Sequence, residues 1–261
     1  MANIESHPPG NFCWIELATT DQNAAKNFYG SLFGWAPADM PIGPDGAYTI
    51  FKLQGRDAAA AYTLQKDARE RGVPPHWMIY VAVESADKAA AKAAELGGKV
   101  LNQAFDVFDV GRMAVLQDPT GTTFCVWQPK RNKGTGIAGV EGTLCWADLS
   151  TPDPERAGKF YSGLFGWKLA KDDKDPSGYL HIKNGEHFIG GVPSAKQYDP
   201  KMPPHWLAYF TVSDVDATAG KAAKAGAKLC LQPMTMEGVG RMAVIADPQG
   251  AAFAIFKSAR K

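Results

Sequence analysis

Residues 13–35 read CWIELATTDQNAAKNFYGSLFGW, and residues 145–167 repeat them as CWADLSTPDPERAGKFYSGLFGW. The two stretches share 12 of 23 residues at an offset of 132 positions. Self-similarity of this length at a fixed offset indicates that one structural unit occurs twice. The chain is therefore expected to hold two homologous domains.

Further matches extend the repeat downstream. The sequence PPHW occurs at 74–77 and again at 203–206, and GRMAV occurs at 111–115 and again at 240–244. Each GRMAV is followed by a DPxG turn motif, DPTG in the first copy and DPQG in the second. We place the first domain at 10–130, a charged, glycine-containing linker at 131–139, and the second domain at 140–258.

Each domain contains a strand, a helix and three strands, and then the same series again. Apolar Ile15 and Leu17 alternate with Trp14 and Glu16, which is typical of a strand with one face toward a core. Asp21 and Gly34 are suitable residues for the start and the end of the helix that follows. The pattern predicts four βαβββ modules, two in each domain.

Composition excludes several classes of protein. The chain has 261 residues, of which 45% are hydrophobic and 21% charged, with a net charge of +1. A disordered chain and a coiled coil are excluded, and a neutral protein has no broad attraction to nucleic acid or to an anionic membrane. We expect neither partner. No secretory signal or membrane span is evident, and the four cysteines lack C-x-x-C spacing, so buried free thiols and a cytoplasmic location are expected.

The four modules, the FYxxLFGW helix and the GRMAVxxDPxG strand pair resemble the vicinal oxygen chelate superfamily, which includes glyoxalase I, bleomycin-resistance proteins and extradiol dioxygenases. The resemblance covers roughly 10–258 and is greatest to two-domain glyoxalase-like proteins. It implies an α+β fold in which each domain forms a curved mixed sheet around a cleft, with the helices outside. Alternation then directs the following side chains into the clefts: Trp14, Glu16, His76, Met78 and Tyr80, and in the second copy Trp146, Asp148, His205, Leu207 and Tyr209.

The resembled enzymes bind a divalent metal through side chains on the first, fourth, fifth and eighth strands of such a domain. The first-, fifth- and eighth-strand positions correspond here to Trp14, Met78 and Cys125, and in the second copy to Trp146, Leu207 and Ala254. The ends of the fourth strands, Ala59 to Thr63 and Ile189 to Val192, offer no carboxylate. The sequence therefore predicts no tightly bound cofactor and no metal ligands, although Glu16 with His76 would hold a divalent ion weakly.

The candidate site residues each admit two interpretations. Trp14 and Trp146 would form a stacking floor for a ligand or fill the clefts as part of the core. Glu16 and Asp148 would act as base or ligand anchor, or would form structural salt bridges with Arg112 and Arg241. These two arginines would otherwise bind an anionic group.

His76 and His205 would serve acid–base chemistry or bond to backbone at the strand entry. Glu16 and His76 are the candidate catalytic pair. Tyr80 and Tyr209 complete the predicted ligand-binding set.

The function predicted from these residues is binding of a small organic molecule in an aromatic cleft, without the usual metal. The alternative is an enzyme, a lyase or isomerase of the glyoxalase I type or a dioxygenase-related protein, acting on a small metabolite. A third interpretation is a scaffold with filled clefts that contacts other proteins. Because the duplicated domain lies in the same chain, we expect a monomer with internal pseudo-symmetry.

Overall fold

The computed structural model describes residues 2–43, 46–171 and 175–259. After a short strand β1 (Ala2–Asn3), the first half contains β2 (Phe12–Thr19), α1 (Gln22–Phe33), β3 (Ala36–Pro41), β4 (Ala47–Leu53), β5 (Arg56–Thr63), α2 (Lys66–Glu70), β6 (His76–Ala82), α3 (Ala86–Glu95), β7 (Lys99–Val107), β8 (Gly111–Gln117) and β9 (Thr123–Pro129).

The second half repeats this series. A short strand β10 (Ile137–Ala138) pairs with β1. It is followed by β11 (Leu144–Ser150), α4 (Pro154–Phe165), β12 (Lys168–Lys171), β13 (Leu180–Asn184), β14 (His187–Val192), a 3₁₀ turn at Ala195–Gln197, β15 (His205–Thr211), α5 (Val215–Lys224), β16 (Lys228–Met236), β17 (Gly240–Ala246) and β18 (Ala252–Ser258).

The strands form two open, eight-stranded mixed sheets of identical topology. The orders are β3-β4-β5-β2-β6-β9-β8-β7 and β12-β13-β14-β11-β15-β18-β17-β16. The first strands of the two modules, β2 and β6, lie antiparallel at the centre of the sheet, and each pairs in parallel with the last strand of its own module. The predicted α+β class and the tandem βαβββ modules are confirmed.

Local sequence explains the ends of the helices. The carboxylate of Asp21 accepts a hydrogen bond from the backbone N–H of Ala24 at 2.9 Å, which satisfies one free donor of the first turn of α1. Gly34 ends the helix in the left-handed region at φ 71°, where a side chain would be strained. Asp153 and Gly166 have the same roles in α4. The repeated stretch therefore encodes a strand, a helix capped at its start, and the glycine that ends this helix.

The helices lie on one face of each sheet, and these two helix-bearing faces pack against each other. Two apolar cores result, and each contains residues of both halves. One joins Ile15, Leu17 and Tyr29 to Phe210 and Phe253, and the other joins residues of β6, α3 and β9 to residues of β11 and α4. The helices lie outside each cleft, as expected, and α1, α3, α4 and α5 each bury one face in these shared cores.

Reciprocal hydrogen bonds cross the contact between the halves. The indole of Trp35 donates to the carbonyl of Gly142 at 3.0 Å, and the indole of Trp167 donates to the carbonyl of Gly10 at 2.8 Å. Both tryptophans end the repeated FGW motif. That motif therefore ties each half to the other.

None of the helices that the structure describes is both long enough and apolar enough to span a lipid bilayer. All four cysteines are free. Cys13 and Cys125 are buried as expected, but the prediction of burial is wrong for Cys145 and Cys230, which are exposed. Cys230 lies on β16, the edge strand of its sheet, where alternate side chains point to solvent.

Candidate functional site

Each sheet has an open face, defined here as the face that turns away from the helices. An acid lies on each open face, partly buried in the first sheet and buried in the second. In the first sheet, Glu16 on β2 accepts a hydrogen bond from the hydroxyl of Tyr48 at 2.6 Å and from that of Tyr80 at 3.1 Å. The indole of Trp14 donates to the Tyr48 hydroxyl at 3.1 Å. We call Trp14, Glu16, Tyr48 and Tyr80 the first acid site.

The second sheet holds a copy of this arrangement. Asp148 accepts from the hydroxyl of Tyr179 at 2.5 Å and from that of Tyr209 at 2.7 Å. The indole of Trp146 donates to Asp148 at 3.0 Å and to Tyr179 at 2.8 Å. We call Trp146, Asp148, Tyr179 and Tyr209 the second acid site. The carboxylate here therefore receives three donors, whereas Glu16 receives two.

Strand register explains how acids of different length fit the same position. Glu16 lies opposite Ala60 on β5, and Asp148 lies opposite Gly191 on β14. A methyl group at Gly191 would stand 1.8 Å from the hydroxyl of Tyr179, so that tyrosine occupies the space a side chain would fill. The shorter acid therefore occurs with glycine, and the longer acid with alanine.

Burial dominates the electrostatics of both sites. It raises the pKa of Glu16 above its usual range, and the hydrogen bonds from Tyr48 and Tyr80 oppose that rise only in part. The pKa of Asp148 is raised by burial in the same way. Burial, followed by the charge of Glu16, raises the pKa of Tyr48 and of Tyr80, so both phenols stay protonated and donate.

The two sites differ in one neighbouring residue. His181 on β13 lies edge-on to the rings of Tyr179 at 5.0 Å and Phe188 at 5.3 Å. Burial raises the pKa of Asp148, and His181 opposes that rise less than the hydrogen bonds from Tyr179, Tyr209 and Trp146 do. The corresponding residue of the first sheet, two positions after Tyr48, is Ile50. In the described residues, an imidazole therefore contributes to the pKa shift of Asp148 but not to that of Glu16.

The salt bridges predicted for Arg112 with Glu16 and for Arg241 with Asp148 do not form. Arg112 bonds to Asp87 of α3 at 2.8 Å and lies 3.4 Å from Asp106, and Arg241 bonds to Asp216 of α5 at 2.6 Å. Arg112 shares its strand face with buried residues that pack against α3, so it points to the helix side. Neither arginine reaches Glu16 or Asp148, and neither faces the predicted cleft.

The histidines of the PPHW motifs bond to backbone. His76 and His205 each place Nδ1 near the carbonyl oxygen of the proline two residues earlier, at 2.8 Å and 2.9 Å. This agrees with the interpretation of a histidine at a strand entry. Glu16 bonds to tyrosines and not to His76, so the predicted catalytic pair is not joined by a hydrogen bond.

The two tryptophans differ in exposure. Trp14 is 5% exposed and packs with Cys13, Tyr80 and Cys125, which favours the interpretation that its indole fills the cleft floor. Trp146 is only partly buried. In the first acid site, the surface offered to a ligand therefore comes from Glu16 and Tyr48 rather than from the indole.

The residues at the superfamily's metal-ligand positions do not fit a divalent metal. Trp14 offers an indole, Met78 a thioether and Cys125 a buried thiol, whose pKa is raised by burial and then by the charge of Glu16. Such a thiol resists the deprotonation that metal binding needs. Among the residues that the structure describes, no three His, Cys, Asp or Glu side chains converge.

A surface groove of about 740 Å³ lies away from both acid sites, at the start of α4 beside Asp153, Leu169 and Leu180. It is open to solvent and lined by side chains that already cap the helix or pack on it. The acid sites combine buried charge with convergent donors, so we regard them as the stronger candidates.

Sequence reasoning missed Tyr48, Tyr179 and His181. An available signal was the internal repeat itself, because residues 46–52 read GAYTIFK and residues 178–183 read GYLHIK. Aligning these two stretches places one tyrosine at the same strand position in both copies. The match is short and differs in loop length, so it does not stand out beside the longer repeats.

Comparisons with known proteins agree with this architecture. The model of the Glyoxalase/Bleomycin resistance protein/Dioxygenase superfamily matches residues 12–126 and 143–255. A protein of Mycobacterium tuberculosis named "Putative glyoxylase CFP32" is 41% identical over 261 residues, covering 99% of each chain. The anthracycline biosynthesis protein DnrV of Streptomyces peucetius is 32% identical over 95% of this chain and 93% of its own.

A solved structure with a similar fold is the Mn(II)-bound glyoxalase from Novosphingobium aromaticivorans, with a TM-score of 0.65 and 18% identity. The alignment covers 95% of this chain and 82% of that one. At this level of identity the likeness concerns the fold.

Proposed function

The chain belongs to the Glyoxalase/Bleomycin resistance protein/Dioxygenase superfamily, and from that premise we propose that it binds a small organic molecule on the open face of its first sheet, with Glu16 as the polar anchor. Glu16 is central to this proposal because it is a charged group on an otherwise apolar and aromatic surface, and it is partly exposed. The second acid site is proposed as a closed structural copy.

The observation that carries this proposal is the unused acceptor capacity of Glu16. A carboxylate can accept about four hydrogen bonds, and Glu16 accepts one from Tyr48 and one from Tyr80. Asp148 accepts three and is 7% exposed. A ligand that carries a donor would therefore find an acceptor at Glu16 and little room at Asp148.

The relatives support an organic ligand of moderate size. The Streptomyces peucetius protein is named for anthracycline biosynthesis, and anthracyclines are planar, hydroxylated polycyclic molecules. Such a molecule suits a surface of tyrosine, methionine and valine side chains, which Tyr48, Met78, Met113 and Val115 supply.

A thermal-shift screen against a library of planar aromatic compounds tests the proposal. A ligand at 100 times its Kd stabilises the folded protein by about 2.7 kcal/mol. We expect hits with the intact protein, loss of the shift in Glu16→Gln, and a retained shift in Asp148→Asn. Hits that persist in Glu16→Gln would contradict the role of Glu16, and a library without hits would contradict binding of this class.

A second candidate is an enzyme that moves a proton, a lyase or isomerase of the glyoxalase type. The raised pKa of Glu16 favours it, because a general base works best when its pKa approaches the working pH. Turnover of the methylglyoxal–glutathione adduct, measured with and without added nickel or zinc, tests this candidate. Activity that Glu16→Gln abolishes would favour the enzyme, and no turnover under either condition would count against it.

A further inference from the structure

We propose that the ligand of the first acid site carries a positively charged amine, an ammonium group that sits beside Glu16. This inference rests on the proposed function and narrows it to a ligand class. It starts from a difference between the two sites. Asp148 in the second site has the imidazole of His181 nearby, and Glu16 in the first site has no basic side chain within ion-pair distance in the described residues.

Glu16 has no cationic partner in the described residues. None of the ion pairs within 4 Å that the structure shows for residues 2–43, 46–171 and 175–259 includes Glu16. The partner predicted from the sequence, Arg112, is held by Asp87 and Asp106 on the helix side of the sheet. A buried carboxylate without a counter-ion is costly, and a bound cation would relieve that cost.

The second acid site shows what the first one lacks. There Trp146 supplies a third hydrogen bond to Asp148, and the imidazole of His181 lies beside Tyr179 at 5.0 Å between ring centroids. Burial still raises the pKa of Asp148, and both residues oppose that rise. In the first site Ile50 stands where His181 stands in the second, and Trp14 donates to Tyr48 instead of to the acid. The first acid therefore keeps an open acceptor position, and no cationic side chain of the described residues pairs with it.

The groups around Glu16 suit an ammonium ion. They come from four strands: Tyr48 on β4, Tyr62 on β5, Tyr80 on β6 and Cys125 on β9. All four are neutral, since burial and the charge of Glu16 raise their pKa values. Tyr48 and Tyr80 direct their hydroxyl groups at Glu16, so the carboxylate itself, with acceptor positions left over, is the group that would bind an organic amine.

Proton binding should compete with the ligand. The cation needs Glu16 ionised, and burial raises the pKa of that carboxyl, so affinity should increase as the pH rises through the raised pKa and decrease below it. The facing groups do not titrate in this range because their pKa values move upward. A neutral ligand should show no such dependence.

The test compares two probes of equal shape. Phenyltrimethylammonium carries a fixed charge, and tert-butylbenzene is its uncharged isostere. We expect the cation to bind the full-length protein about tenfold more tightly than the isostere, measured by quenching of tryptophan fluorescence and by calorimetry. Glu16→Gln should remove this preference, and the matched change Asp148→Asn should keep it.

The outcomes separate this inference from the proposed function. Equal binding of the two probes with no effect of Glu16→Gln would overturn the cationic ligand while leaving small-molecule binding intact. Failure of both probes would also overturn it, and the library screen then decides the proposed function independently. If Glu16→Gln does not fold, the pH dependence in the unmodified protein decides: cation affinity that does not rise with pH would overturn the inference.

Discussion

The hydroxyl of Tyr29 in α1 donates a 2.9 Å hydrogen bond to Asp247, which lies in the opposite half of the chain. The indole of Trp77 donates in turn to Tyr29 at 3.2 Å. The second copy repeats this in part: Trp206 donates to Tyr161 at 3.2 Å, and burial, followed by the charge of Asp118, raises the pKa of Tyr161. Oδ2 of Asp118 has no hydrogen-bond partner among the described residues, whereas Oδ2 of Asp247 accepts from Tyr29. The repeated FY, HW and DPxG motifs therefore meet across the contact between the halves.

Tyr29→Phe tests this buried network. The change leaves an oxygen of Asp247 and the N–H of Trp77 without this partner, and we expect a loss of about 1–3 kcal/mol in the free energy of unfolding. Urea denaturation measures it. The control is Tyr198→Phe, whose hydroxyl bonds to a loop carbonyl, that of Met202, and which should change stability by less than about 0.5 kcal/mol. Equal effects would contradict the assignment.

The two site tryptophans should differ in their contribution to stability. Trp14 is 5% exposed, so Trp14→Ala should cost the ~3–5 kcal/mol typical of a packed aromatic residue. Trp146 is only partly buried, and Trp146→Ala should cost less. Chemical denaturation of both variants gives the comparison. A smaller loss for Trp14 than for Trp146 would contradict the packing of the Trp14 indole into the cleft floor.

Stability should depend on pH through the buried acids. Because the folded state raises the pKa of Glu16 and of Asp148, it holds their protons more tightly than the unfolded chain does. Stability is therefore greatest below the unfolded pKa and falls as the pH rises through the folded pKa, by at most about 1.4 kcal/mol per pH unit for each group. Unfolding measured from pH 4 to 7 should show this slope, and Glu16→Gln should reduce it. An unchanged slope would assign the dependence to other groups.

Gly191→Ala should disrupt the second acid site. The added methyl would stand 1.8 Å from the Tyr179 hydroxyl, so the phenol must move away from Asp148. We expect a loss of about 1–3 kcal/mol, as for other overpacked positions. The reciprocal change Ala60→Gly creates no clash and serves as the control. A fully stable Gly191→Ala protein would show that Tyr179 can bond to Asp148 from another position.

The chain should be a monomer. Each half covers the helix-bearing face of the other, which is the surface that an unduplicated copy would leave exposed. Light scattering at micromolar concentration should give a mass near 28.1 kDa. A stable dimer would contradict this prediction.

Most of the fold could be predicted because its signals are local and occur twice. Asp21 and Gly34 cap α1 as the sequence indicates, and the alternation of Ile15 and Leu17 correctly assigns the helix side of β2. The shared cores could not be predicted in this way. Alternation shows which face of a strand is buried, but not which half of the chain buries it.

The site was predicted less completely. Glu16, Tyr80, Asp148 and Tyr209 lie on strands whose register is evident, and the structure brings each acid together with its tyrosine. The prediction that Arg112 lies in the cleft was wrong. Strand alternation puts Arg112 on the same face as Ala114 and Leu116, which belong to the helix-side core. Strand pairing brings Tyr48 and Tyr179 beside the acids. The short repeat around these tyrosines does not show which strands pair.

The packing of the halves also bears on how this protein changes over evolution. Because the two helix-bearing faces pack against each other, a substitution on one of them must be accommodated by the other copy. The open faces carry no such constraint. The copies differ on both kinds of face: Ala147 and Phe210 replace Ile15 and Val81 in the shared cores. On the open face Asp148, Gly191 and His181 replace Glu16, Ala60 and Ile50. One half can therefore acquire a new specificity while the other preserves the architecture.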